Sequence, residues 1–301
     1  MQRAALSSHG RWSRRLSLLA ACAVLAGCQP RAAGPDGTPP SHPRIVSLNP
    51  CTDAVLADVA APGQLLAVSH YSHDPASTSM GVARAATFGK VSDAVEDILA
   101  LRPDVVVASS FLAPATAQAL RDMGIAVHLE PLPTDLAAAR EQVRRLASLA
   151  GNPAGGKALV TRIDAALAAA APPAGSRPVR ALLWQSGGIV AGDTTLIADL
   201  MRHAGLANAA AARGLSQADY LPLERVIADP PELVLTAETE GGEENRLLDH
   251  PALARVKGLV RVPIDPGLAW CGGPTIPRAL ARFAEIRRAM KQESPRAEGR
   301  P

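Results

Sequence analysis

Two stretches decide how this chain is read: VEDILALRPDVVVAS at 95–109 and LERVIADPPELVLTA at 223–237. Aligned, they place Glu96 with Glu224 and Pro103 with Pro231, and each passes from an apolar pair and an alanine through proline and an acidic residue to a run such as VVVA or LVLT. Proline cannot continue a helix, and an unbroken apolar run of this length is a strand covered on both faces. Each copy therefore predicts a short helix, a turn and a parallel strand. A duplicated unit of this kind predicts two lobes of similar build, and the cleft between two lobes is a common ligand site.

Working outward, the pattern alternates. Strands are expected at Arg44–Leu48, Leu65–Ser69, Asp104–Ser109 and Ile125–Leu129, with helical periodicity at Ala115–Met123 and Asp135–Ala150. In the second half, strands are expected at Val179–Trp184, Glu232–Thr236 and Leu259–Ile264, and helices at Leu196–Ala204, Leu223–Ala228, Pro251–Val256 and Pro274–Met290. Strands alternating with helices imply parallel sheets with helices on both faces, an α/β architecture of two Rossmann-like lobes. Between them Ala154–Ala170 reads as one alanine-rich helix, bounded by Pro153 and by Pro172-Pro173. At 1.5 Å per residue it would be about 25 Å long, a stiff single connection that permits small tilts of the lobes. The boundaries that follow are a leader at 1–27, a tether at 28–43, an N-terminal lobe at 44–152, the linker helix at 153–173, a C-terminal lobe at 174–290 and a disordered tail at 291–301.

The N-terminus carries an address. Arg3, Arg11, Arg14 and Arg15 precede the apolar run Leu16–Ala26, which is too short to span a bilayer and suits a secretory leader. Leu25-Ala26-Gly27-Cys28 resembles the lipobox of bacterial lipoproteins, in which the cysteine becomes the acylated first residue. Residues 29–43, rich in Pro, Gly and Ala, read as a flexible tether. A lipid-anchored protein facing an oxidising compartment, the periplasm, is expected. The formal net charge of +3 includes the leader arginines, and no basic block with interleaved aromatics occurs, so nucleic acid is not an expected partner.

Several segments together are similar to the periplasmic binding proteins of ABC importers for cobalamin and ferric siderophores, the class whose lobes are joined by one backbone helix. They are RIVSLNPCTD (44–53), AVSHYSHDP (67–75), VEDILALRPDVVVAS (95–109), LRDMGIAVHLE (120–130), ALLWQSGG (181–188) and AWCGGP (269–274). The resemblance implies a ligand cleft between the lobes and docking of Glu96 and Glu224 onto basic residues of an inner-membrane ABC permease dimer. The internal repeat independently puts those two glutamates at equivalent points, as docking onto a two-fold partner requires. Solvated carboxylates at helix starts are the simpler role for the same residues. A monomer is expected, without catalysis and with no resident cofactor or metal, its ligand being a metal chelate.

Aromatics are scarce, at three Phe, three Trp and two Tyr. Tyr71, Phe88, Phe111, Trp184 and Trp270 fall in or beside segments that follow expected strands, and open α/β sheets bind ligands outside the carboxyl ends of their strands. They are expected to line a shallow site for a large, flat ligand, against core packing as the alternative for any one of them. Thr52, Asp53, His70, Gln185, Ser186, Gly187 and Gly188 are the expected polar partners. Cys51 and Cys271 follow the first strand of one lobe and the last of the other, so in the family fold both face the cleft. A disulfide, a soft metal pair and direct ligand contact all remain open for them. Arg84 and Arg278 are further candidate cleft residues.

Two other functions compete. A zinc or manganese importer component would draw on His70, His73, His128 and His203, but there is no His-rich loop and no second-lobe Asp motif. An enzyme using Cys51 as nucleophile lacks an orienting third group, and no dinucleotide, nucleophile-elbow or phosphate-loop motif occurs.

Overall fold

The computed structural model describes residues 42–237 and 250–298. The leader, Cys28 and the tether up to residue 41 lie outside the described residues.

The N-terminal sheet contains β1 (Ile45–Ser47), β2 (Leu65–Ser69), β3 (Gly89–Val91), β4 (Val105–Ser109) and β5 (Ala126–Glu130), in the order β3-β2-β1-β4-β5. Every pairing in it is parallel. Both faces are covered, so Ile45, Val46, Val106 and Val107 have no exposed surface. The strand order reverses at β1, which has β2 on one side and β4 on the other, and the crevice at such a reversal is where open sheets take ligands. The helices are α1 (Pro50–Val59), α2 (Val82–Ala85), α3 (Val95–Ala100), α4 (Pro114–Asp122) and α5 (Leu136–Leu149).

The linker is α6, Pro153–Ala170. Asn152 starts it twice over: its Oδ1 accepts from Gly155 N (2.9 Å) and its Nδ2 donates to Val59 O (2.8 Å), which ties the helix start to the end of α1. Gly156, Leu159, Val160 and Ile163 form its buried stripe.

The C-terminal sheet is built from β6 (Val179–Gln185), β7 (Ile189–Ala191), β8 (Leu206–Asn208), β9 (Ala218–Tyr220), β10 (Leu233–Ala237) and β11 (Val260–Ile264). Its order is β11-β10-β6-β7-β9, with β8 also on β6. Here the expectation of a wholly parallel sheet is corrected. β7 runs antiparallel to β6, with Trp184 opposite Val190, and β9 antiparallel to β7. Gly187 (φ 73°) and Gly188 (φ 81°) adopt the left-handed backbone that reverses the chain between β6 and β7. The helices are α7 (Leu196–His203), α8 (Leu223–Ala228), α9 (Pro251–Ala254) and α10 (Thr275–Glu298). The last continues past Met290 to Glu298, where a disordered tail is expected from Lys291.

The sequence repeat is realised as α3–β4 and α8–β10, each strand lying beside the first strand of its sheet. One apolar core runs through both lobes, taking in Ile45 and Leu146, Ile163 of α6, and Leu183, Leu200 and Phe283. A hydrogen bond also crosses: Asp199 Oδ2 of α7 accepts from Leu136 N at the start of α5 (2.9 Å).

Candidate functional site

The site grows from the first turn of α1. Asn49 is the N-cap, its Oδ1 accepting from Cys51 N (2.9 Å), and Pro50 opens the helix where a missing N–H costs nothing. Cys51 is bonded to Cys271. Of the alternatives open for these residues, the structure therefore holds a disulfide, and it joins the two lobes. Both cysteines are buried, yet both border a cavity of about 290 Å³ with Asn49, Pro50, Tyr71, Ala76, Ser77 and Trp270.

Tyr71 comes from the one-turn 3-10 helix His70–His73 at the end of β2, and Trp270 from the loop between β11 and α10. Both rings are about half exposed, at 51% and 55%. A second cavity of about 260 Å³ adjoins, sharing Asn49 and Tyr71, and is lined at the carboxyl ends of β1 to β4 by Ser69, His70, Ser92, Asp93, Ser109 and Phe111 among others. Phe111 is 78% exposed, and the His70 and Tyr71 rings lie 3.9 Å apart, centroid to centroid.

Other expected ligand residues are placed elsewhere. Trp184 has no exposed surface and packs with Leu182, Val190 and Leu221: side chains alternate along β6, so Ala181 and Leu183 join the main core while Trp184 falls on the opposite, equally covered face. Gln185 ends β6, Ser186, Gly187 and Gly188 form the β6–β7 connection, and none of the four borders either cavity; Gly188 O accepts from Leu221 N (2.9 Å). Phe88 packs against the main core. Thr52 and Asp53 are buried beneath the site: Thr52 bonds Ser47 (2.9 Å), and Asp53 Oδ2 accepts from Ser69 N (3.0 Å) and Ser72 Oγ (2.7 Å). Burial pushes the Asp53 carboxyl up to about 7, against the opposing pull of the Ser47 and Ser72 hydroxyls and the Ser69 N–H.

Asn49, Ser92, Asp93, Ser109 and Ser77 are lining residues that sequence reasoning overlooked. Asn49 and Ser109 end or follow expected strands and could have been found by the same rule as Tyr71. Ser92 and Asp93 follow β3, whose three residues carry no readable alternation.

Arg84 does not reach the cavities and is held by Asp58 and Ala57 O, and Arg278 by Asp265 and Ser79 O. His128 pairs with Glu130 (2.6 Å), and His203 lies 3.6 Å from Asp199. Among the described residues no group of three or more His, Cys, Asp or Glu side chains could hold a metal ion. Glu96 and Glu224 are both exposed in the first turns of α3 and α8.

Two α/β lobes, one connecting helix and a cleft lined by loops at strand ends define a solute-binding architecture. The sequence profile of the periplasmic binding proteins matches residues 45–259, and the chain belongs to that family. Among solved structures it is similar to the periplasmic heme-binding protein RhuT from Roseiflexus sp. RS-1, at 25% identity and TM-score 0.67 over 82% of this chain and 97% of that one. It is also similar to a periplasmic heme-binding protein from Pseudomonas aeruginosa, at 23% identity and TM-score 0.66 over 81% and 92%. The vitamin B12-binding protein BtuF of Vibrio cholerae has the same fold, at 18% identity and TM-score 0.64 over 83% and 98%. No curated protein sequence matches the chain.

Proposed function

We propose that this protein is the lipid-anchored periplasmic component of an ABC importer and captures a planar metal chelate of the tetrapyrrole kind, a heme or a corrinoid. The observation that carries this is the pairing of Tyr71 and Trp270, half-exposed rings from opposite lobes on one cavity. Large flat rings stack on such faces, and a phenol oxygen is in addition a ligand for ferric heme iron. The heme- and vitamin B12-binding proteins of the same fold support this choice. An anionic ferric siderophore is the weaker candidate, because it would want guanidinium groups facing the cavity, whereas Arg84 and Arg278 are engaged with carboxylates and carbonyls outside it.

In this reading the ligand is bound and released without chemistry. Cys28 carries the lipid, and Glu96 and Glu224, one on each lobe, dock the loaded protein onto a permease dimer.

Titration of the purified protein with ferric heme, cobalamin, several ferric siderophores, and free zinc, manganese and copper ions tests the assignment through ligand absorbance and thermal shift. Stabilisation that grows with heme or cobalamin concentration is expected. A response to free ions alone would move the protein to the metal-ion class.

A further inference from the structure

The first turn of α1 anchors the segments that carry Tyr71 and Trp270. Asp53 Oδ2 takes hydrogen bonds from Ser69 and Ser72, the residues on either side of His70-Tyr71, and Ser69 Oγ in turn accepts from Tyr71 N (3.2 Å). Two residues earlier in the same turn, Cys51 is joined to Cys271, the residue after Trp270. About half of each ring is exposed, and Tyr71 has the His70 ring beside it, so packing covers only part of either ring and the backbone that carries it contributes to its position.

The bridge is not the only link between the lobes. A continuous apolar core already runs through α6 from Ile45 to Phe283, and Asp199 caps α5 from the other lobe. What the bridge adds is local: it pins the 269–274 loop against α1 beside Tyr71.

We infer that the Cys51–Cys271 disulfide is a specificity-determining positioning device, holding Trp270 at a set distance from Tyr71 and so fixing the thickness of ligand that the cleft accepts. One planar ring between two aromatic faces needs a gap of about 7 Å, twice the usual carbon contact distance of about 3.5 Å. A loop free to swing would widen that gap and lose the contact on one side. The bridge therefore acts on how long a flat ligand stays and hardly on how fast it arrives. The inference rests on the proposed ligand class only for its functional consequence; the positioning of Trp270 can be read without any ligand.

The test is fluorine NMR of protein labelled with 5-fluorotryptophan, comparing wild type with the Cys51→Ala/Cys271→Ala variant. Buried Trp184 reports on the fold and Trp270 on the loop, assigned with Trp270→Phe. The expected result is an unchanged Trp184 resonance with a shifted, narrower Trp270 resonance. Ferric heme should leave the variant at least tenfold faster and associate within about twofold of wild type. Unaltered Trp270 signal and dissociation rate in the variant overturn the inference. If the Trp184 resonance also moves, wild-type protein reduced with dithiothreitol is measured in place of the variant, against the same two outcomes. Should ferric heme fail to bind wild type, the heme reading falls, and the Trp270 resonance alone decides the positioning role.

Discussion

Gly273 of the C-terminal lobe lies against Val55 of α1 so closely that a Cβ at Gly273 would overlap the valine Cγ2. Its φ of 62° also belongs to the left-handed region. Both properties arise where the 269–274 loop crosses onto the N-terminal lobe. Gly273→Ala therefore combines backbone strain with a steric clash and is expected to lower stability by roughly 2–4 kcal/mol. A thermal melt within a degree or two of wild type would show that the loop can move aside.

The aromatic residues should separate into two groups. Trp184→Ala empties a fully buried position and is expected to cost about 3–5 kcal/mol of stability. Tyr71→Ala and Trp270→Ala remove half-exposed rings and should change stability by less than about 1 kcal/mol. Each should nevertheless weaken chelate binding at least tenfold, which calorimetry alongside urea unfolding can check.

Asp53 makes stability depend on pH. Burial raises its carboxyl in the folded state to about 7, so between that value and its ordinary range near 4 the native protein holds a proton that the unfolded chain has released. The stability it contributes is complete below about pH 4 and is lost as pH rises through 7, by on the order of 2–4 kcal/mol. Asp53→Asn keeps an oxygen that can accept from Ser69 and Ser72 but cannot ionise. Unfolding by urea at pH 4.5, 6 and 8 should show this decline in wild type and its absence in the variant; the same slope in both would assign the effect to other groups.

Docking can be divided from ligand capture. Glu96→Lys and Glu224→Lys lie on exposed helix starts away from both cavities. The double variant is expected to abolish chelate uptake by cells while the purified protein binds its ligand as wild type does. Normal uptake would leave these glutamates as solvated helix-start carboxylates.

Much of the architecture was legible in the chain. The repeat 95–109 and 223–237 announced two similar lobes because proline and an unbroken apolar run are local signals that need no partner to interpret. The alanine-rich 153–170 stretch announced a long helix for the same reason. The reversal at Gly187-Gly188 was not legible: two glycines after a strand suit a helix entry as well as a hairpin, and pairing with Val190 decides between them.

Local rules placed Tyr71, Phe111 and Trp270 at the ends of strands, and these three rings do border the cavities. The same rules offered Trp184 and Phe88 as cavity residues, but both pack into cores, because whether a ring meets a core or a cleft depends on which elements come to lie over it. Asp53 shows the limit most clearly. As a residue type it suggests a ligand contact, but it is directed inward because Ser69 and Ser72, sixteen and nineteen positions away, are brought over it by β2 and the following turn. The bond between Cys51 and Cys271, 220 positions apart, has the same origin. Spacing along a chain dictates periodic elements, whereas contact between distant residues exists only once those elements have packed.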